Sequence, residues 1–335
     1  KFNKKKNKLV KKKILISTGG SGGHVVPALN LYNHLKNEFD VTLYTDLRGS
    51  KYIPEEIKKT IFEVKKIPEK KYLIPIKIIF LFFAFIKSLI HFRGNKIDIL
   101  ISTGGYMSLP IVLAAKIFNK KIILFEPNSI IGRSNKFLLR FAYQILCYDR
   151  DIILDSNEKS NVPVDKVVII NPILNNCFYS NKNIIESRDH TFKILIMGGS
   201  QASLFFSKYL KNEIIQLSKK YKIEITQQLS SGFDVDNYKK EYNENNIKNN
   251  LFFFEENFLC KKNDFDIAIT RAGASSLAEL AHLNIPFISI PFPHATDNHQ
   301  FLNAKRYYDS NCCWILEEKN FNSGDIYKII NQIMV

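Results

Sequence analysis

The stretch ILISTGG occurs at Ile14–Gly20 and again at Ile99–Gly105, and a close variant, ILIMGG, spans Ile194–Gly199. Each run is short, β-branched and stopped by a glycine pair, which is the pattern of a buried strand in a parallel sheet. A helical pattern follows each pair. It reads VVPALNLYNHL after the first, with Pro27 suited to an opening turn, LPIVLAAKIF after the second and SLFFSKYLKNEIIQL after the third. IAITRAGASSLAELAHL, Ile267–Leu283, repeats the scheme a fourth time. Further strands are expected at Val41–Tyr44, Lys121–Phe125, Val167–Ile170, Ile223–Gln227 and Pro286–Ile290. Strands alternating with helices predict an α/β protein with parallel sheets. A glycine pair lets the chain turn sharply off a strand tip into a helix whose first N–H groups stay free, and those groups attract anions. Two such turns fall in each half of the chain. That predicts two doubly wound domains with ligand-binding turns at their strand tips.

A chain of 335 residues suits two domains of roughly 150 residues each. The expected division is a basic arm at 1–13, an N-terminal domain at 14–172, a polar linker at 173–190 and a C-terminal domain at 191–335. Lys1–Lys13 hold eight lysines and no apolar run, so a secretory signal is not expected there. Asp234–Asn250, rich in Asn, Lys and Glu, is expected to be a surface excursion of the second domain. The formal charge of +16 fits anionic partners (nucleic acid, an anionic membrane or phosphorylated substrates) and equally fits a lysine-rich solvated surface. No nucleic-acid-binding motif is present, so no specific nucleic acid is expected as a partner. Cysteine is odd in number, at five, with no CxxC pair. Neither a disulfide framework nor a zinc site is expected, and a reducing cytoplasm fits best.

Tyr72–Phe92 reads YLIPIKIIFLFFAFIKSLIHF. Its longest uncharged run, Ile78–Ile86, is too short to span a bilayer. Lys77 and Lys87 bracket it, and Lys70, Lys71, His91, Arg93 and Lys96 flank it. Such a helix fits the interface of an anionic membrane, and it also fits a helix buried against a sheet. The two readings are compatible if its faces differ.

The first glycine loop, GGSGGH at Gly19–His24, is not a P-loop, because no Gly-Lys-Ser/Thr follows. It is not a GxGxxG fingerprint either, because position 25 is Val. Specificity comes from the ordered set GGSGGHVVPAL (Gly19–Leu29), STGGYMSLP (Ser102–Pro110), EPNSIIGRSN (Glu126–Asn135), GGSQAS (Gly198–Ser203), RAGASSLAEL (Arg271–Leu280) and PFPHATDNHQFLNA (Pro291–Ala304). Together these closely resemble the MurG-type GlcNAc transferases of bacterial peptidoglycan synthesis, from about Lys13 to about Ile329. The resemblance implies a GT-B fold, two Rossmann-like doubly wound parallel-sheet domains with a cleft between them. It implies inverting transfer of GlcNAc from UDP-GlcNAc to lipid I, giving lipid II. The implied setting is peripheral, on the cytoplasmic side of the plasma membrane, with Tyr72–Phe92 toward its anionic surface. No metal and no cofactor are implied, since UDP-GlcNAc is a substrate. The alternatives are a GT-B transferase acting on another lipid-linked acceptor and a non-catalytic membrane scaffold.

The resemblance also assigns roles. His24 becomes the general base for the acceptor hydroxyl, a task that suits a group titrating near neutrality. Ser21, Gly22 and Gly23 hold the lipid-linked diphosphate, or the donor near it. Asn128 contacts sugar, and Glu126 offers a second base as an alternative. Ser200 and Gln201 meet donor phosphate. Ala274, Ser275 and Ser276 meet the donor diphosphate through N–H groups, and Glu279 accepts from the ribose hydroxyls. Phe254 and Glu255 fall in the uracil-binding segment, and His299 and Gln300 lie where the GlcNAc hydroxyls are read. His294 and His299 lack a third ligand and are not expected to bind metal. The chain departs from the family pattern at Pro127, Ala202 and Leu174. At Leu174 an Arg that contacts the nucleotide is usual, so either weaker affinity for UDP or substitution by another cation, Arg188 or Arg271, is expected.

Overall fold

The structure, a computed structural model, describes residues 11–20, 22–62, 74–155, 160–161, 164–180, 191–199, 203–253, 255, 257–262 and 264–334. They fall into two compact units. The first holds the described residues of 1–127, 131–154 and 159–173, and the second those of 128–130, 155–158 and 174–335.

The first unit contains β1 (Lys13–Ser17), α1 (Gly22–Leu35), β2 (Asp40–Asp46), β3 (Lys59–Phe62), α2 (Ile74–Gly94), β4 (Ile99–Ser102), α3 (Ser108–Ile117), β5 (Lys121–Glu126), α4 (Arg133–Leu138), β6 (Gln144–Cys147) and β9 (Val167–Ile169). Between the last two, β7 (Ile153–Asp155) and β8 (Ser160–Asn161) pair only with each other. The seven-stranded sheet runs β3-β2-β1-β4-β5-β6-β9, and every pairing is parallel. The chain steps outward from β1 to β3 and then returns to β4 on the other side of β1. The β1/β4 boundary is therefore the switch point of a doubly wound sheet, where ligands bind outside the strand ends. Side chains alternate between the faces of β1. Ile14 and Ile16 join Val25 and Ala28 of α1, while Leu15 joins Ile111 and Val112 of α3. Both faces are covered, which is why the ILI run is apolar at every position.

The second unit repeats the plan. It contains α5 (Cys177–Ser180), β10 (Phe192–Met197), α6 (Lys211–Ser218), β11 (Ile223–Gln228), α7 (Val235–Glu244), β12 (Lys248–Phe252), α8 (Phe258–Lys261), β13 (Ile267–Thr270), α9 (Ala274–His282), β14 (Phe287–Ser289), α10 (His299–Asp309), β15 (Cys313–Ile315) and α11 (Asp325–Met334). Its six-stranded parallel sheet runs β12-β11-β10-β13-β14-β15, with the switch point between β10 and β13. Ile194 and Ile196 face one core cluster and Leu195 the other.

Three expectations are corrected and one is refined. Helix α1 begins at Gly22, so Pro27 lies inside it rather than in its opening turn. Proline removes the donor that would bond the Gly23 carbonyl. The polar stretch Asp234–Asn250 lies largely on the surface but is regular structure, because it forms α7 and enters β12. Asp234 caps α7 by accepting from the N–H groups of Asp236 and Asn237, and Tyr238 and Tyr242 are buried four residues apart. In the expected linker, Leu174 and Phe178 are core residues, while 181–190 lie outside the described residues. Cys177 and Cys260 form a disulfide across a Cα–Cα distance of 5.8 Å. Phe178, Phe258 and Leu259 pack in one apolar cluster, which brings α5 and α8 together.

Candidate functional site

In the first unit β1 and β4 pair with Ser17 opposite Ser102, so both glycine turns leave the sheet at the same level. Gly104 and Gly105 have φ of +90° and +84°, and a Cβ on Gly105 would lie 3.1 Å from the Gly19 carbonyl oxygen. Left-handed backbone and close approach together require glycine there. His24 is the third residue of α1, and Gly22 and Gly23 are its first two. All three N–H groups therefore belong to the free opening turn. The His24 side chain is half-buried, and its Nδ1 lies 2.9 Å from the Thr103 carbonyl oxygen. A carbonyl only accepts, so Nδ1 carries the hydrogen and donates. In the neutral ring Nε2 then holds the lone pair. The Thr103 hydroxyl reaches back to the His24 carbonyl at 3.1 Å. One residue of the second turn thus fixes both the ring and the backbone of His24.

Glu126 ends β5 and is 2% exposed. Its Oε2 accepts from Gly132 N at 2.8 Å and from Asn135 Nδ2 at 3.1 Å. These bonds shape the loop between β5 and α4, which makes Glu126 a buried organiser of that loop. Ser21 lies outside the described residues. Asn128–Ile130 belongs with the second unit. There Asn303 Nδ2 donates to Asn128 Oδ1 at 3.0 Å, and Ser129 N donates to Asn303 Oδ1 at 2.9 Å.

In the second unit Gln228, the last residue of β11, clamps the third glycine turn. Gly198 N donates to its Oε1, and its Nε2 donates to the Gly199 carbonyl, each at 3.0 Å. Ser200, Gln201 and Phe254 lie outside the described residues. Glu255 pairs with Lys261 at 2.8 Å. Gly273 caps α9, and Ala274, Ser275 and Ser276 form its first turn, so their N–H groups face outward from a positive helix end. Glu279 sits one turn on, and burial pushes its carboxyl up to about 7. Gln300, in the first turn of α10, accepts from Phe292 N at 2.9 Å, which leaves Nε2 to donate elsewhere. His299 Nδ1 donates to the Thr296 carbonyl at 2.8 Å. Among the described residues, no three His, Cys, Asp or Glu side chains gather as a metal site.

Residues 14–147 match the N-terminal domain of glycosyltransferase family 28, and residues 193–334 match its C-terminal domain. The chain belongs to glycosyltransferase family 28. A family relative from Pelagibacter ubique is 44% identical over 96% of this chain and 89% of its own length. One from Rickettsia felis is 34% identical over 94% and 89%. Both are described as UDP-N-acetylglucosamine–N-acetylmuramyl-(pentapeptide) pyrophosphoryl-undecaprenol N-acetylglucosamine transferases. Among solved structures, MurG of Acinetobacter baumannii superposes with a TM-score of 0.77 at 21% identity, covering 97% of this chain and 91% of that one. The plant enzyme UGT89C1 of Arabidopsis thaliana, bound to quercetin, gives 0.65 at 14%, covering 96% and 89%. The fold is GT-B-like, with two parallel-sheet α/β domains.

The family 28 reading gains one correction. Arg271 does not stand in for the cation missing at Leu174. Its Nη1 donates to the Ile290 and Pro291 carbonyls at 2.9 and 3.3 Å, and its Nη2 donates to Ser203 Oγ at 2.8 Å and pairs with Glu318. The ring of Phe206 lies 4.7 Å from the guanidinium carbon. Burial lowers its pKa, and both terminal nitrogens are engaged within the unit. Leu174 itself is 3% exposed, inside an apolar cluster. Arg188 lies outside the described residues. Sequence reasoning missed Asp46, Asn135, Gln228 and Asn303. A signal existed for two of them: Asp46 and Gln228 are the polar residues that end the strands beside β1 and β10.

Proposed function

We propose that this chain transfers GlcNAc from UDP-GlcNAc to lipid I, giving lipid II for peptidoglycan. The observation that carries this reading is the 44% identity with the Pelagibacter ubique transferase, which runs through both domains. The acceptor hydroxyl attacks the anomeric carbon while His24 Nε2 takes its proton. The bond from that carbon to the UDP oxygen breaks on the opposite face, so the configuration inverts and UDP leaves with the electron pair. The Thr103 carbonyl, accepting from Nδ1, steadies the imidazolium that forms. First-turn N–H groups at Ala274, Ser275 and Ser276 meet the charge growing on the donor diphosphate. Glu279 holds the ribose hydroxyls, and Gln300, with its acceptor oxygen already occupied, donates to a GlcNAc hydroxyl. Asn128 also meets sugar. Ser200, Gln201, the Phe254–Glu255 segment and His299 complete the donor contacts. Ser21, Gly22 and Gly23 meet the acceptor diphosphate.

The acceptor is a lipid, and α2 supplies a surface suited to reaching one. Its buried stripe is Ala84, Ser88 and Phe92, while Ile78, Phe82, Phe83 and Ile90 are 58–65% exposed. Lys87, Arg93 and Lys96 are exposed beside them. An apolar outer face with a basic rim suits the interface of an anionic bilayer. No helix among the described residues is long and apolar enough to cross a membrane. We place the chain peripherally, on the cytoplasmic side of the plasma membrane, where UDP-GlcNAc is found.

The test is transfer of labelled GlcNAc to a short-chain lipid I analogue, with EDTA present, by the parent chain and by His24→Ala. The expected result is transfer by the parent and a loss of about 10²- to 10⁴-fold in the variant, the range for a positioned base. A folded parent that transfers nothing would redirect the assignment to another lipid-linked acceptor.

A further inference from the structure

Asp46 ends β2, beside β1, and is fully buried. Its Oδ1 accepts from Gly20 N at 3.0 Å and from Gly49 N at 2.7 Å. Its Oδ2 accepts from Arg48 Nε at 3.2 Å and Nη2 at 3.0 Å. Two of these four donors hold the first glycine turn and the backbone after β2. The other two grip the guanidinium as a fork. Arg48 also lies over Tyr106, the residue after the second glycine pair, with its guanidinium carbon 5.3 Å from the ring centroid. A Cβ on Gly20 would sit 3.6 Å from Arg48 Nη2. The arginine is thus fixed at the first glycine turn from two sides, yet its side chain remains 38% exposed. Asp46 takes two of the five N–H donors of Arg48 and the Tyr106 hydroxyl accepts a further one, which leaves donors for a ligand.

The second unit shows what clamping a glycine turn requires. Gln228 ends β11 beside β10, as Asp46 ends β2 beside β1, and it clamps its turn with a neutral amide. A carboxylate is therefore not needed for the clamp, and beside an anion-binding turn it would repel the ligand. The buried charge at Asp46 is accounted for if its task is to hold a cation at that turn. An arginine immobilised before binding keeps its remaining donors aimed outward without a further ordering cost.

We propose that Arg48 is a binding residue for the diphosphate of the lipid-linked acceptor, with Asp46 as its positioning residue. The identity of the acceptor rests on the function proposed above, while the chemistry recognised is a diphosphate ester at the first glycine turn. The guanidinium donors that Asp46 and Tyr106 leave over donate to phosphate oxygens, and the free N–H groups opening α1 serve the same ligand. UDP-GlcNAc also carries a diphosphate, so the test must separate the two substrates.

Steady-state transfer is measured for the full chain and for Arg48→Ala and Arg48→Lys, varying the lipid I analogue and UDP-GlcNAc in turn. Calorimetry with farnesyl diphosphate reads the site without catalysis, and thermal melting checks folding. Arg48→Ala should raise the KM for the acceptor about tenfold or more, and weaken farnesyl diphosphate by a similar factor, with the donor KM within about twofold. Arg48→Lys, which keeps the charge but loses the fork, should recover part of the loss. An unchanged acceptor KM and unchanged farnesyl diphosphate affinity in folded Arg48→Ala would overturn the proposal. A raised donor KM alone would overturn the acceptor assignment. If Arg48→Ala melts early, Arg48→Gln, which can still donate to Asp46, takes its place. If the parent transfers nothing, the proposed function fails while the calorimetry still decides the site. Loss of binding in the variant supports the site, and no farnesyl diphosphate binding by the parent counts against it.

Discussion

Glu279 lies in the second turn of α9, and burial raises its carboxyl from an ordinary value of 4.5 to about 7. The folded chain therefore holds this proton more tightly than the unfolded chain does. The stabilisation from the neutral form is complete below about pH 4.5 and is lost as pH rises through about 7. Glu279→Gln is neutral at every pH. It should melt with the parent near pH 4.5 and above it near pH 8, by on the order of 2 kcal/mol. Thermal melts at both pH values decide this, and an equal gap at both would remove the titration from the explanation. Donor binding should run the other way. An ionised carboxylate accepts from ribose hydroxyls, so the affinity of the parent for UDP-GlcNAc should rise from about pH 6 to about pH 8 and that of the glutamine variant should not.

At the scale of elements, α2 makes the sharpest separation between packing and surface. Ala84, Ser88 and Phe92 are buried at intervals of four, and the Ser88 hydroxyl meets Tyr44 OH at 3.0 Å. Phe82 and Phe83 are 58% and 59% exposed. Replacing both with Ser should weaken sedimentation with anionic vesicles and leave the melting temperature nearly unchanged. Phe92→Ala should instead cost about 3 kcal/mol of stability, with vesicle binding retained by the folded fraction. Sequence alone left both faces of this helix open, because Ile78–Ile86 is apolar at every position and there the 3.6-residue period has no contrast to display. The ILI strands were legible for the opposite reason, since a short apolar run between glycines has few other uses. Helix α7 was missed because its surface is polar, although Asp234 before a Tyr238–Tyr242 pair was a readable cap and stripe. Part of the site was legible as well, since His24 and the first turn of α9 come with their glycines. Arg48 was not, because its meaning depends on β2 lying beside β1 and on Tyr106 arriving from a turn far away in sequence.

For the whole molecule, each unit has its own sheet with apolar clusters on both faces, so each should fold by itself. Leu174, Phe178 and Leu195 share a cluster with Leu259 and Leu280. Cys177 is bonded to Cys260 in the same region. The folding boundary of the second unit therefore lies at Leu174 and not at the start of the family match at residue 193. A fragment of residues 174–335 should unfold in one cooperative transition and bind UDP-GlcNAc, and it should transfer nothing because His24 is absent. A fragment of residues 191–335 loses two buried apolar side chains and the disulfide. It should be less stable by several kcal/mol, from about 2 kcal/mol per buried side chain plus the cross-link. Measuring both under reducing and oxidising conditions separates these contributions. Under reduction only the packing difference should remain. If the two fragments then melt together, Leu174 and Phe178 do not belong to the folding unit, and the apolar residue in the usual arginine position would need another explanation.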